Sequence, residues 1–434
     1  MWRLPICGGN WNNESNAGVA ALNLNNPRSN VNNNIGFRPA LLGCKKPAPY
    51  GVQENARKKR SRTPPRMRGN MNRTRRPVGE RRPSPNPPKD NMRTVNGIWA
   101  SAIDYASLYE SYKKASRGKR YTYESMKFRA NLEENLIQIQ NELIWKIYQP
   151  SPLRVFTIHE PKERTISAPS FRDRVVHHSL VSAIEPAFER RFISDTFACR
   201  VGKGTHQSMY RMRDLSRSAR REWGSYWILK CDIRKFFPSV RHDILKATIR
   251  RTIFDRDTLW LIDTIIDSAG ESGAGIPIGA LTSQLFANIY LDPLDHYVKD
   301  DLGIKHYVRY MDDFVILGKG KHELREILSG ISAFLSGDRS LALNHRTGIW
   351  PAKHGIDFCG YRIWPTHVKP RKRTIKTAKR RLLAISRRYP SPDAFADARA
   401  MLMSFLGYVK HCSAWRSTEA VLERAAYRPK GDRS

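Results

Sequence analysis

Two adjacent carboxylates, Asp312 and Asp313, stand between short apolar, β-prone runs in the stretch Val308-Arg309-Tyr310-Met311-Asp312-Asp313-Phe314-Val315-Ile316-Leu317. That pattern predicts a hairpin with acid at its tip. Two aspartates buried at a tight turn are costly unless a cation binds there, and hard oxygen donors suit Mg²⁺ better than a softer metal. One hairpin cannot fill a two-metal site, so a third carboxylate must arrive from an adjacent strand. Asp232, near the end of the apolar run Tyr226-Trp227-Ile228-Leu229-Lys230-Cys231-Asp232-Ile233, is the candidate.

An Asp-Asp pair alone marks a solvated turn more often than a metal site. What changes its meaning is a third element between the two acidic runs, the glycine-bearing loop Gly275-Ile276-Pro277-Ile278-Gly279-Ala280-Leu281-Thr282-Ser283-Gln284, which leads into a helix. The order strand-Asp, Gly-loop-helix, Tyr-Met-Asp-Asp hairpin resembles the palm of reverse transcriptases. The resemblance implies an α+β right-hand polymerase with fingers, a palm built on an antiparallel sheet and a helical thumb. It implies that Asp232, Asp312 and Asp313 are catalytic and hold two Mg²⁺ ions, or Mn²⁺, with Ile233 beside Asp232 in the metal-binding set. One ion would lower the pKa of the primer 3′-hydroxyl and the other would neutralise the triphosphate and leaving pyrophosphate. Asp313 is the less direct ligand of its pair in this family.

Further residues take roles by the same resemblance. In Phe156-Thr157-Ile158-His159-Glu160-Pro161-Lys162-Glu163-Arg164-Thr165-Ile166-Ser167, strand-like on both sides of a charged turn, Lys162 and Arg164 match the fingers cations that grip the incoming triphosphate. The bland reading of both is a hairpin turn with solvated charge. Phe237 fits the aromatic position that would clash with a ribose 2′-hydroxyl, whereas Phe236 reads as core. Ile278, Gly279 and Gln284 complete the dNTP-binding set. Gly355-Ile356-Asp357-Phe358-Cys359-Gly360-Tyr361 resembles the primer-grip turn, carried by Phe358, Cys359, Gly360 and Tyr361, with Cys359 where Leu is common. His345 and Arg346 are candidates for the general acid on pyrophosphate. His177 and His178, on different sides of a predicted helix, read as structural. The glycines and cations of residues 192–206 suit close approach by a phosphate backbone.

The loop Ile278-Gly279-x-x-x-Ser283-Gln284 departs from the Gln-Gly-x-x-x-Ser-Pro of retroviral, retron and intron-encoded enzymes. Its Ile and Gln are the pattern of diversity-generating retroelement reverse transcriptases, which copy a template RNA with frequent errors at adenines to diversify a target gene. That kinship implies template RNA, cDNA primer and dNTPs as partners, together with a small basic accessory protein, often a pentameric helical barrel. The rival readings are a retron or group II intron enzyme, and a non-catalytic RNA-binding or maturase protein with an inherited palm.

Bulk properties agree with a polyanionic partner. The 434 residues carry a formal net charge of +36, far too basic for an ordinary metabolic enzyme. Residues 43–95 hold 16 Lys/Arg against three acids, and residues 365–434 hold 17 against five, so the charge is concentrated in the flanks. The first flank is rich in proline and poor in apolar residues, which predicts a disordered basic linker over 43–95. Residues 1–42 are crowded with asparagine and resemble the end of the C-type-lectin-like proteins that such retroelements diversify, as if a template repeat had been translated. On that view the working enzyme begins near Met92. Fingers and palm are expected over 96–365 and a basic helical thumb over 366–434.

Leu132, Leu136, Ile139, Leu143 and Ile147 recur at helical spacing before the Gln149-Pro150-Ser151-Pro152 break and predict an amphipathic helix. The six cysteines form no CxxC pair or zinc spacing and read as reduced thiols. No apolar run reaches membrane-spanning length and the first residues lack a signal-peptide core, so a cytoplasmic protein is expected, and the resemblance implies one that is bacterial or phage-encoded.

Overall fold

A computed structural model of the chain describes residues 97–423 apart from 160–162, 271–272 and 389–391. The segments 1–42 and 43–95 and the residue Lys162 lie outside the described residues. Four helices come first: α1 (Ile98–Ile103), α2 (Tyr105–Ser116), α3 (Tyr123–Ala130) and α4 (Leu132–Ile144). Leu136, Ile139 and Leu143 are buried at helical spacing in α4. Ile147, expected to continue that stripe, is 66 % exposed, because the helix ends at Ile144 and Lys146 turns into the left-handed region at φ 55°.

The strands β1 (Arg154–Ile158) and β2 (Arg164–Ala168) form an antiparallel hairpin, the pair expected around the charged turn. Ser170 caps α5 (Phe171–Glu189) by accepting from the Asp173 N–H. There follow α6 (Thr205–Trp223), β3 (Trp227–Asp232), α7 (Phe236–Ser239), α8 (His242–Arg250), α9 (Arg256–Asp267) and α10 (Leu281–His296). The hairpin β4 (Tyr307–Tyr310) and β5 (Asp313–Gly318), α11 (Lys321–Asp338) and β6 (Gly348–Pro351) complete a four-stranded antiparallel sheet of order β4-β5-β3-β6. Then β7 (Ile356–Phe358), β8 (Tyr361–Ile363) and β9 (Val368–Pro370) form a three-stranded meander, followed by α12 (Lys372–Ser386), α13 (Pro392–Val409) and α14 (Trp415–Leu422).

The larger sheet is covered on both faces, and its strands alternate accordingly. Leu229, Cys231, Tyr307, Phe314 and Ile316 join a core with α5, α8, α9 and α10. Ile228, Val308, Val315 and Leu317 join a second core with α6 and the β7–β8–β9 meander. The last three helices share a small core of their own around Leu382, Phe405 and Val421. With both faces of the sheet sealed, its polar business is confined to the end where β3 stops and the β4–β5 hairpin turns.

Candidate active site

At that end the register does the positioning. Asp232, the last residue of β3, is paired directly across from Asp313, the first residue of β5. Asp312 occupies the turn before it, and its carbonyl accepts from the Ile233 N–H at 3.2 Å. Met311 adopts φ 59°, a left-handed conformation unusual for a side chain of its size. Asn344 grips Asp232 twice, its backbone N–H on the Asp232 carbonyl at 2.7 Å and its Nδ2 on the carboxylate at 2.8 Å. Sequence reasoning stopped at the neighbouring His345 and Arg346, which are exposed, and missed Asn344.

The carboxylates are held with too little positive charge. Burial and the nearby Asp232 carboxylate push Asp312 up to about 6, against the Arg164 and Arg309 guanidiniums. Burial likewise pushes Asp313 up to about 6, opposed by Lys230 and reinforced by Asp312 and Asp232. Lys230 reaches Asp313 at 2.9 Å and also donates to the Asp357 carbonyl at 2.8 Å. It therefore ties β3 both to the hairpin and to the meander.

Among the described residues no three His, Cys, Asp or Glu side chains converge into a ready metal cage. Asp313 is drawn to Lys230 instead. The donor chemistry nevertheless fits a hard divalent cation: Asp232 and Asp312 repel one another, and Asp313 Oδ1 is buried without a hydrogen-bond partner.

Behind the turn lies a group that sequence reasoning did not single out. Arg309 is fully buried and makes a bidentate pair with Asp295 of α10, Nε to Oδ1 at 2.7 Å and Nη2 to Oδ2 at 2.6 Å. Tyr307 and Thr196 each donate to Asp295, at 2.6 and 2.7 Å. Arg309 Nη1 donates to the Met311 carbonyl at 3.1 Å, which pins the left-handed turn immediately before Asp312. Burial alone would lower the guanidinium's pKa, but the Asp295 charge and hydrogen bonds raise it. A signal was available: Asn288, Asp292 and Asp295 are polar at i, i+4 and i+7 in the otherwise apolar stretch of α10 from Leu285 to Asp295, and all three are buried.

The remaining candidates fall into two groups. Arg164, exposed at the start of β2, stands close enough to Asp312 to favour its charged form. The Ile278–Gly279 loop is locked to the same strand, since the Ser167 N–H donates to the Ile278 carbonyl at 2.9 Å. Gly279 takes φ 130°, which side chains rarely adopt, and a Cβ there would sit tightly against Ile166 Cγ2 at 3.0 Å and the Ser167 carbonyl at 3.1 Å. Ile278 and Gln284 are both half-buried. Phe236 is core, as expected, and Phe237 stays half-buried, edge-on to it at 5.6 Å.

The expected primer-grip residues form the β7–β8 turn, with Cys359 at φ 46° and Gly360 at φ 88°. Phe358 and Tyr361 point into the core, and the Tyr361 hydroxyl is engaged by His206 Nδ1 and the Tyr408 carbonyl, both at 3.0 Å. Cys359 is half-buried, and the Gly360 carbonyl is already taken by the Tyr408 hydroxyl and the Arg371 N–H. In the 192–206 loop Arg200 is buried on Glu189 and the carbonyls of Ile193 and Thr196, and Lys203 donates to the Ser194 carbonyl. Those cations hold the loop together instead of waiting for phosphate. His177 is buried against the Thr282 hydroxyl at 3.1 Å, a structural use.

Comparison with known proteins sets this site in a family. Residues 158–363 match the family model described as reverse transcriptase (RNA-dependent DNA polymerase), a span holding Arg164, Asp232, Ile278, Asp312, Asp313 and Asn344. Protein YkfC of Escherichia coli K12 is 26 % identical over 279 residues, covering 54 % of this chain and 72 % of the relative. The group II intron-encoded protein LtrA of Lactococcus lactis subsp. cremoris is 26 % identical over 177 residues, covering 38 % of this chain and 28 % of its own length. Apo telomerase from Candida tropicalis, truncated from its C-terminal domain, superimposes with TM-score 0.40 at 13 % identity over 53 % of this chain and 59 % of that one. Residues 158–363 are thus a reverse transcriptase domain, the domain of an RNA-directed DNA polymerase, with homology to group II intron-encoded proteins.

Proposed function

We propose that the chain copies a template RNA into cDNA at the Asp232/Asp312/Asp313 site, as an error-prone enzyme of a diversity-generating retroelement. The observation that carries the polymerase reading is the cross-strand pairing of Asp232 with Asp313, with Asp312 beside them and Arg164 facing it. Asp232 and Asp312 would hold Mg²⁺, which when bound supplies a lowered pKa at the primer 3′-hydroxyl and neutralises charge on the triphosphate. The chain's own residues do the rest. Arg164, with Lys162, takes the triphosphate; Phe237 borders the sugar; Ile278, fixed through its carbonyl to β2, borders the nascent base pair; and the Cys359–Gly360 backbone steadies the primer. Residues 96–365 act as fingers and palm and 366–434 as thumb.

The retroelement assignment rests on Ile278 and Gln284. An isoleucine offers the incoming nucleotide no amide, so geometry at the base pair loosens. Incorporation of dNTPs on an RNA template, read by sequencing of the products, tests both levels: no Mg²⁺-dependent cDNA would sink the polymerase reading. Ile278→Gln should lower errors opposite template adenine by a few fold more than errors elsewhere, and an unchanged spectrum removes Ile278 from the account. In the cell the proposal includes a cytoplasmic enzyme working with a small basic pentameric accessory protein, and a chain starting at Met92 that keeps full activity. A second reading, a group II intron-type enzyme, is favoured by those relatives that are named as intron proteins, LtrA among them. It predicts cDNA with no excess of errors at adenine.

A further inference from the structure

We propose that a groove between the C-terminal half of α6 and the β8–β9 turn binds single-stranded RNA, outside the site where primer is extended. The groove has a volume of about 690 Å³ and is lined by Asp214, Arg217, Arg220, Arg221, Pro365 and Thr366. That size lies within the roughly 300–1,000 Å³ of ligand-binding clefts. The buried side of α6 is set by Met209, Met212, Leu215 and Ala219. Its other side places Arg217 one turn from both Arg220 and Arg221, an arrangement of like charges that the helix alone does not favour.

Asp214 is the only acid in the lining, and it lies 3.7 Å from Arg217 and 3.5 Å from Arg213. Among the described residues Arg220 and Arg221 make no ion pair, while Arg217 is fixed across the groove by donating its Nε to the Pro365 carbonyl at 2.9 Å. The far wall thus holds one guanidinium in place and leaves two others turned to solvent. Flanking Pro365 and Thr366 in sequence, without themselves lining the groove, Trp364 and His367 stack nearly parallel at 4.7 Å, and the Lys369 ammonium stands 5.8 Å from the indole. Trp364 lies against Gly355, where a Cβ would come within 2.6 Å of the ring, and its indole N–H donates to the Lys353 carbonyl at 3.2 Å. The aromatic pair is therefore seated by backbone.

Cations that track a phosphate backbone next to a flat aromatic surface are the ingredients of sequence-tolerant single-strand binding. An acidic protein segment would use the arginines but not the aromatic pair, so nucleic acid is the better match. Preference for RNA over DNA rests on the polymerase reading above. The groove is at the opposite end of β8 from the Cys359–Gly360 turn, three residues or about 10 Å along the strand. A strand held here is not the stretch being copied.

The test uses the full chain with its extension site saturated by a short hairpin primer–template, and a fluorescent oligouridylate about ten nucleotides long. The oligouridylate should still bind. The double variant Arg220→Ser/Arg221→Ser should bind it about twentyfold more weakly at 0.1 M salt, with the salt slope reduced by about 1.4, and should extend the hairpin at the wild-type rate. Complete displacement of the oligouridylate by the hairpin, or an unchanged affinity and slope in the variant, overturns the proposal. So does binding of polyglutamate at these arginines without binding of the oligouridylate. Failure of the polymerase reading gives a different signal, no extension by either protein.

Discussion

Asp295 and Asp312 sit on opposite sides of one hairpin turn, and their surroundings could hardly differ more. Asp295 is sealed in the core and accepts from Arg309 through both oxygens, from Tyr307 and from Thr196. Asp312 is only half-buried, faces Asp232, and is pushed up to about 6 by burial and that repulsion. Arg309 connects the two, because the guanidinium that neutralises Asp295 also holds the Met311 carbonyl. A carboxylate with its charge fully matched is there to fix a shape. One left short of positive charge is where a cation belongs.

The largest effect should follow from removing the unmatched charge. Asp312→Asn is expected to cut cDNA synthesis by about 10³-fold or more, the rate equivalent of roughly 4 kcal/mol of lost charge stabilisation, while RNA binding persists. Primer-extension rates beside filter binding would check this, and retained synthesis would remove Asp312 from the metal-holding pair. The matched carboxylate should behave oppositely. Asp295→Asn leaves a buried guanidinium unpaired, which costs about 3–5 kcal/mol, so thermal unfolding should shift down clearly whether or not divalent metal is present. An unfolding temperature within a degree of wild type would show that the Arg309–Asp295 pair does not hold the turn.

Much of this contrast was legible in the sequence, and the part that was not has a physical cause. The short apolar, β-prone runs in Trp227–Asp232 and Val308–Leu317 announced strands, and acid at their ends announced the site, because β-prone composition and an abrupt polar end are local properties. Arg309, by contrast, looked like one more charge in a basic chain. Its meaning depends on Asp295, fourteen residues away on a helix packed behind the strand, and only packing brings them together. Asn344 escaped for the same reason, since its contact with Asp232 spans 112 residues. The end of α4 at Ile144 depended on a left-handed Lys146, which residue types did not foretell. Phe358 and Tyr361 were marked for the primer grip by motif, but their burial depends on α6 and on the Tyr408 carbonyl, distant in sequence, and was not a local property.

The smallest expected effect is on stability, and it sharpens the contrast between the two aspartates because its sign is reversed. Asp312 has a folded-state pKa of about 6, above the roughly 3.9 of an unfolded aspartate. The folded protein therefore holds the proton more tightly than the unfolded chain. The stabilisation this gives is fully present below about pH 4 and is lost as pH rises from about 4 to 6. At neutral pH without divalent metal, the ionised Asp312 is a net burden on the fold. Asp312→Asn, neutral at every pH, should escape that loss, and after allowance for water at a half-buried site the gain is about 1 kcal/mol at pH 7.5. Thermal unfolding in EDTA should then place the Asn variant above wild type at pH 7.5, with the gap closing toward pH 4, whereas Asp295→Asn stays below wild type throughout. If Asp312→Asn is instead less stable than wild type at pH 7.5, the two aspartates serve the fold alike and the distinction drawn between them fails.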